Sequence, residues 1–240
     1  MRQDNKPYTM RLLINFIRRL YTRWRIVPQF DSVGAGLEII GAHRLEIYGR
    51  DIHLGNNVHL QTARGQISRL CTWPNGESGN GKIEIGDNVL LTPGLHIVSA
   101  NHVKIGDNVM IASRVYISDA DWHGIDNRLA TPGAHAPIML EDNVWLGEGV
   151  KICKGVTIGK NSVIGAGSVV TRPIEANVIA AGNPAKMISK IDETNIQSRA
   201  NLFADSAQYQ KTMRYLHYQN HKNNSYISWL WHIIFPNRRS

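Results

Sequence analysis

An aliphatic side chain returns at every sixth residue through Leu140, Leu146, Ile152, Ile158, Ile164 and Val170. Glycine follows it directly at Gly147, Gly159 and Gly165, and a small or β-branched residue stands four positions after it at Val144, Val150, Val156, Ser162 and Ser168. The period also occurs earlier, at Leu54 and Leu60, at Ile85, Leu91 and Ile97, and at Ile105, Ile111 and Ile117; the phrase IGDNV is written twice, at 85–89 and 105–109. A period of six fits neither an amphipathic helix nor an alternating strand. It predicts a triangular coil in which each six-residue unit supplies a short strand and a corner, three units to the turn. The aliphatic residue fills the prism. Stacked coils pair in parallel and satisfy one another's backbone groups. Glycine or asparagine at a corner accepts the positive φ required there. One coil alone buries nothing, so the coils must stack, and the fold class is all-β.

Two stretches break the period. Residues 61–82 and 119–137 are rich in Gly, Pro, Asn and Asp and are expected to protrude as loops. Insertions in a solenoid tend to fall where ligands bind.

The flanks differ from this body. Of the net charge of +8, residues 1–28 contribute +6 and residues 186–240 contribute +5, against −3 for residues 29–185. A nucleic-acid reader would carry basic charge on its folded face, so nucleic acid is not expected as a partner. Residues 8–25 read as an amphipathic helix, with Leu12, Leu13, Phe16, Ile17, Leu20 and Trp24 on one side and Arg11, Arg18 and Arg25 on another. This face suits either a peripheral membrane contact or packing against the protein itself. The same two readings apply to the aromatic-rich phrase YISWLWHIIF at 226–235. No stretch approaches the roughly 18 apolar residues of a membrane span, and no secretory leader is visible. The two cysteines, Cys71 and Cys153, form no disulfide framework and fit a reducing, cytoplasmic compartment. The expected divisions are a basic helix and linker over 1–36, the β-helix over 37–190, and a helical extension over 191–240.

The phrase LEDNVWLGEGVKICKGVTIGKNSVIGAGSVVTRPIEANVIAAGNPAKMI (140–188) resembles the C-terminal signature of the hexapeptide-repeat acyltransferases. The resemblance implies a left-handed parallel β-helix, a homotrimer with sites between subunits, and acetyl-CoA as acyl donor without a required metal. It also implies that the coenzyme arm runs past Trp145 and Ala166, with Thr171 and Arg172 toward its distal part and Lys186 toward a phosphate. Two positions depart from the pattern: Glu148 stands where relatives keep a small residue, and Ser189 where some carry a second basic residue.

Acyl transfer to a hydroxyl needs a base for the attacking oxygen, donors for the oxyanion and alignment of two substrates. Histidine titrates in the right range. Of ten histidines, His123 is favoured, because ISDADWHG at 117–124 is similar to the catalytic loop of sugar O-acetyltransferases; His135 is the reserve. Asp119 and Asp121 are expected either to meet sugar hydroxyls and orient the imidazole or to serve the turn. Cys153 lies beside an interior position and is not expected to be acylated. The preferred reading is an O-acetyltransferase acting on a saccharide of a bacterial surface polysaccharide or its precursor. An N-acetyltransferase of a nucleotide-linked amino sugar and an antibiotic acetyltransferase share the signature. From other classes come a zinc carbonic-anhydrase-like β-helix, using His96, His102 and His123, and a non-catalytic scaffold.

Overall fold

The computed structural model describes residues 5–75, 79–204 and 206–235. They form two compact units, one of Arg25–Ala200 and one drawn from the residues before Arg25 and after Ala200.

The first unit is the left-handed parallel β-helix, with three sheets for its three sides. The first sheet runs Ser32–Val33, Ile52–Leu54, Lys82–Ile85, His102–Ile105, Ile138–Leu140 and Thr157–Ile158. The second runs Glu38–Ile40, His59–Gln61, Leu90–Leu91, Met110–Ile111, Trp145–Leu146, Val163–Ile164 and Val178–Gly182, and ends with the antiparallel strand Ala185–Lys190. The third runs Leu45–Tyr48, Ser68–Thr72, His96–Ser99, Tyr116–Ser118, Lys151–Ile152 and Val169–Val170. Successive members of each sheet are one coil apart, so the chain visits all three sides in turn.

The six-residue period is the interior of this prism. Leu140, Leu146, Ile152, Ile158, Ile164 and Val170 are each at most 1% exposed, and burying such a side chain contributes roughly 1.5–3 kcal/mol. Val144, Val150 and Val156 are equally buried. Where the register delivers serine instead, the hydroxyl is used: Ser162 Oγ donates to the carbonyl of Glu175 at 2.7 Å, and Ser168 Oγ to that of Gly165 at 2.6 Å.

Asparagine supplies one corner. Asn57, Asn88, Asn108, Asn143, Asn161 and Asn177 all have φ between 53° and 62°, a left-handed conformation that asparagine tolerates better than most residues. Their side chains pair in two runs: Asn57 donates to Asn88 at 3.0 Å, and Asn143 donates to Asn161 at 3.0 Å and Asn161 to Asn177 at 2.7 Å. Between the runs, Asn108 Oδ1 accepts from the Ala200 N–H at 2.7 Å. Alongside the asparagines, Asp87, Asp107 and Asp142 each accept from a backbone N–H of the preceding coil, those of Asn56, Asp87 and Asp107, at 2.6–2.8 Å.

One expected loop is corrected. Residues 61–82 do not form a single protrusion, because Ser68–Thr72 lies inside them as a strand of the third sheet with Ser68, Leu70 and Thr72 buried. Two of those inward residues are hydroxylic, which hid the period. The excursions that remain are a turn between His59–Gln61 and this strand, and a loop between this strand and Lys82–Ile85.

The second unit holds α1 (Tyr8–Tyr21), and a wider turn at Thr22–Ile26 carries the chain from it into the first unit. The chain resumes in the helices α2 (Ala200–Phe203), α3 (Ser206–His221) and α4 (Tyr226–Ile234). Tyr8 packs edge-on against Tyr218 with centroids 5.3 Å apart, and Thr9 Oγ1 lies 2.6 Å from the Tyr226 hydroxyl. Leu12, Leu13, Phe16, Ile17, Leu20 and Trp24 are exposed. No helix among the described residues is long and apolar enough to cross a membrane.

Candidate active site

The loop at 119–137 leaves the prism between a strand of the third sheet and one of the first. It is closed on itself rather than loose. Asp121 N–H donates to the Ala134 carbonyl at 2.8 Å, Gly133 N–H to that of Asp121 at 2.7 Å, and Ala136 N–H to that of Asp119 at 2.9 Å. Glycine is required where its two arms touch. A Cβ on Gly133 would stand 2.5 Å from the His123 carbonyl oxygen, and one on Gly124 would stand 2.5 Å from that of Asn127.

Asp119 anchors the loop's base. It is fully buried and accepts from Ser99 Oγ at 2.6 Å, Ala100 N–H at 2.7 Å and Asn101 N–H at 3.0 Å. A buried carboxylate needs such partners, and in the single chain its oxygens face these donors rather than an open surface. Asp121 lies farther out, paired with Lys154 Nζ at 2.8 Å; Lys154 comes from the same corner of the next coil. Neither carboxylate is a hydrogen-bond partner of His123.

His123 is exposed, and its Nδ1 lies 3.0 Å from the Arg128 carbonyl oxygen. A carbonyl only accepts, so Nδ1 carries the proton and Nε2 keeps its lone pair in the neutral ring. An open depression of about 470 Å³ is lined by His123, Gly124, Ile125 and Arg128. His135 turns back on its own arm, with Nδ1 3.2 Å from the Gly133 carbonyl.

The other histidines of the β-helix lie elsewhere. His102 Nε2 is 2.6 Å from Glu84 Oε2 on the first sheet, and Lys82 Nζ is 2.6 Å from the other oxygen. The hydrogen bond from Lys82 leads in holding Glu84 below the usual carboxylate range; burial opposes it and His102 adds to it. His96 stacks edge-on against Tyr116 on the third sheet, and burial lowers its pKa. Among the described residues of the single chain no three His, Cys, Asp or Glu side chains gather as a metal-binding group, and within one chain His96, His102 and His123 do not converge.

The five residues expected along the coenzyme path are all exposed. Trp145 and Ala166 sit on neighbouring coils near one corner, where a Cβ on Gly147 would lie 2.6 Å from Ala166 N. That close stacking accounts for the glycine in VWLG. Lys186 lies on the closing hairpin, opposite Ala181. Thr171 and Arg172 follow Val169–Val170 at a different corner, the one from which the His123 loop departs two coils earlier. The single chain therefore does not gather the five on one edge. Glu148, the departure from the pattern, is paired with Arg114 of the preceding coil. Arg114 has φ 61° in a column otherwise made of Gly94, Gly149 and Gly167. Sequence reasoning missed Arg114, Lys154 and Gly133. Only the Pro-Gly dipeptide at 132–133 offered a signal.

The family described as bacterial transferase hexapeptide (six repeats) matches residues 137–172. An inferred acetyltransferase of Dictyostelium discoideum is 40% identical over 164 residues, covering 68% of this chain and 69% of that protein. Galactoside O-acetyltransferase of Escherichia coli (strain K12) is 45% identical over 148 residues, covering 61% of this chain and 57% of that protein. Other curated relatives are matched over 59% and 44% of their own length. A variant of AntD, an N-acyltransferase from Bacillus cereus solved with dTDP-4-amino-4,6-dideoxyglucose and coenzyme A, superposes with a TM-score of 0.58 at 20% identity. That match covers 82% of this chain and 96% of AntD, and the likeness is one of fold. The chain belongs to the hexapeptide-repeat acyltransferases.

Proposed function

We propose that this protein is an acetyltransferase that moves the acetyl group of acetyl-CoA to a hydroxyl of a saccharide, with His123 as general base. The observation that carries the reading is the His123 imidazole, held through Nδ1 by the Arg128 carbonyl and set beside an open depression. Nε2 accepts the proton of the attacking hydroxyl as its oxygen bonds to the thioester carbonyl carbon. The imidazolium then returns that proton to the sulfur as the carbon–sulfur bond breaks. The hydroxyl acceptor draws support from the galactoside O-acetyltransferase of E. coli, and a surface-polysaccharide unit is the form of acceptor proposed. Asp119 is assigned to holding the loop, while Asp121 and Lys154 stand where an acceptor would meet them.

Trp145, Ala166, Thr171, Arg172 and Lys186 are proposed as the coenzyme contacts. Their division between two corners fits a groove completed by a neighbouring subunit, and the proposed assembly is a homotrimer. The outward row Leu90, Met110, Trp145 and Val163 on the second sheet offers apolar surface to such a neighbour. A cytoplasmic location with peripheral membrane contact through the exposed face of α1 belongs to the same proposal.

An amine acceptor is the second reading, since AntD shares the fold and is an N-acyltransferase bound to an amino-sugar nucleotide. The test is mass spectrometry of products after incubation with acetyl-CoA and a panel of galactosides, amino-sugar nucleotides and surface oligosaccharides, beside a His123→Ala control. An acetyl ester absent from the control supports the main reading, and an acetamide the second. No transfer to any acceptor, with no binding of coenzyme A, overturns both.

A further inference from the structure

Three aromatic side chains of the β-helix unit lie outside its core and lead up to the His123 loop. Tyr48 ends the first strand of the third sheet, Trp73 follows the second strand of that sheet, and Trp122 immediately precedes His123. The loops bearing Trp73 and Trp122 leave the prism at the same corner, between third-sheet and first-sheet strands. The Tyr48 and Trp73 ring centroids are 4.7 Å apart at 37°, and those of Trp73 and Trp122 are 6.4 Å apart at 65°. Tyr48 is 56% and Trp73 42% exposed.

Tyr48 and Trp73 are exposed and Trp122 is half-buried, and a contiguous aromatic patch left open to water is costly and marks a binding site. Flat rings with two rotatable bonds each lose little entropy when covered, and they present apolar faces beside polar edges. Sugar rings have the complementary form, with C–H faces and hydroxyl rims. We propose that Tyr48, Trp73 and Trp122 form a platform that holds sugar rings of an extended saccharide acceptor while a neighbouring ring is presented to His123. The proposal rests on the saccharide acetyl-transfer reading and deepens it: the preferred acceptor is an oligosaccharide rather than a single sugar. Trp122 couples the platform to the base through one peptide bond. Tyr48 and Trp73 touch the acceptor away from the reacting atoms and govern its affinity.

The test compares methyl β-galactoside with β-1,4-galactotetraose, using the full chain, acetyl-CoA and the variants Tyr48→Ala, Trp73→Ala and Trp73→Phe. Circular dichroism and sedimentation check fold and assembly. The expected result is a KM for the tetrasaccharide raised tenfold or more in the alanine variants. KM for methyl β-galactoside and for acetyl-CoA stays within twofold, and Trp73→Phe restores most of the loss. Calorimetric titration with the tetrasaccharide, without acetyl-CoA, reads binding apart from transfer. Binding that depends on Trp73 without any transfer supports the platform and removes the acetyl-transfer reading. Transfer with equal effects on both acceptors, or none, retains that reading and overturns the platform. A changed assembly state in the variants overturns it too, by showing that the rings cover a subunit contact. Neither binding nor transfer of either sugar removes both.

Discussion

The Nδ1 atom of His123 lies 3.0 Å from the carbonyl oxygen of Arg128, five residues later in the same loop. A backbone group therefore sets the tautomer of the proposed base, where an acidic side chain often does so. No side-chain substitution at position 128 removes that acceptor. His123→Ala is expected to lower kcat by a hundredfold or more while leaving the affinity for coenzyme A within twofold. Steady-state kinetics with calorimetry of coenzyme binding checks both halves.

The loop's close approach at Gly133 gives a second test of the same geometry. A methyl group there would meet the His123 carbonyl at 2.5 Å, so Gly133→Ala must shift the backbone that carries the imidazole. A misplacement of about 1 Å in a reacting group costs on the order of a hundredfold in rate. The expected signature is a fall in kcat with little change in melting temperature, because the loop lies outside the prism.

Asp119 is expected to matter for stability first. Removing its carboxylate leaves the Ala100 and Asn101 amides without their buried acceptor and the Ser99 hydroxyl with only the Lys82 carbonyl, at 3.0 Å. Asp119→Ala should cost about 3 kcal/mol or more, and Asp119→Asn less, as one oxygen remains. Urea unfolding measures both.

Much of this was written in the chain. The aliphatic residues from Leu140 to Val170 announced the prism because each fills the interior of one side of a coil at the same place in the repeat. The DWHG phrase drew attention to His123. Asp119 was legible as a residue of interest but not as a buried anchor, since its partners Ser99, Ala100 and Asn101 belong to the preceding coil and lie about twenty residues earlier. The strand Ser68–Thr72 was missed for a related reason: burial of serine and threonine depends on hydrogen bonds that no periodicity displays.

Arg114 occupies a left-handed corner where its column otherwise has glycine, and it neutralises Glu148. Arg114→Gly should relieve about 1 kcal/mol of backbone strain and lose an exposed ion pair worth about 0–1 kcal/mol, so stability changes by less than about 1 kcal/mol. The unpaired Glu148 would then repel an anionic coenzyme in the proposed groove. KM for acetyl-CoA is expected to rise several-fold and to recover when Glu148→Ala is added. Thermal unfolding and kinetics of the single and double variants decide this.

Glu84 yields a prediction in pH. Hydrogen bonding from Lys82 and His102 lowers its pKa in the folded chain, so the unfolded chain binds its proton more readily. The stabilisation is present above the ordinary glutamate value of about 4.3 and is lost as pH falls through the lowered folded value. Since the pair is one-third exposed, Glu84→Gln should cost no more than about 1 kcal/mol near neutrality. The difference should vanish in acid, as read by urea unfolding at several pH values.

The recurring left-handed asparagine makes the β-helix a ruler. Each such asparagine marks one coil, and coils follow one another at about 4.8 Å. Thr171 and Arg172 therefore stand two graduations, roughly 10 Å, along the axis from the departure point of the His123 loop. Adding or deleting a whole coil between them would lengthen or shorten that span by one graduation without turning either corner away from its side of the prism. The distance from base to distal contact is thus fixed by a count of repeats, and a ligand laid along the axis is measured in whole turns of the chain.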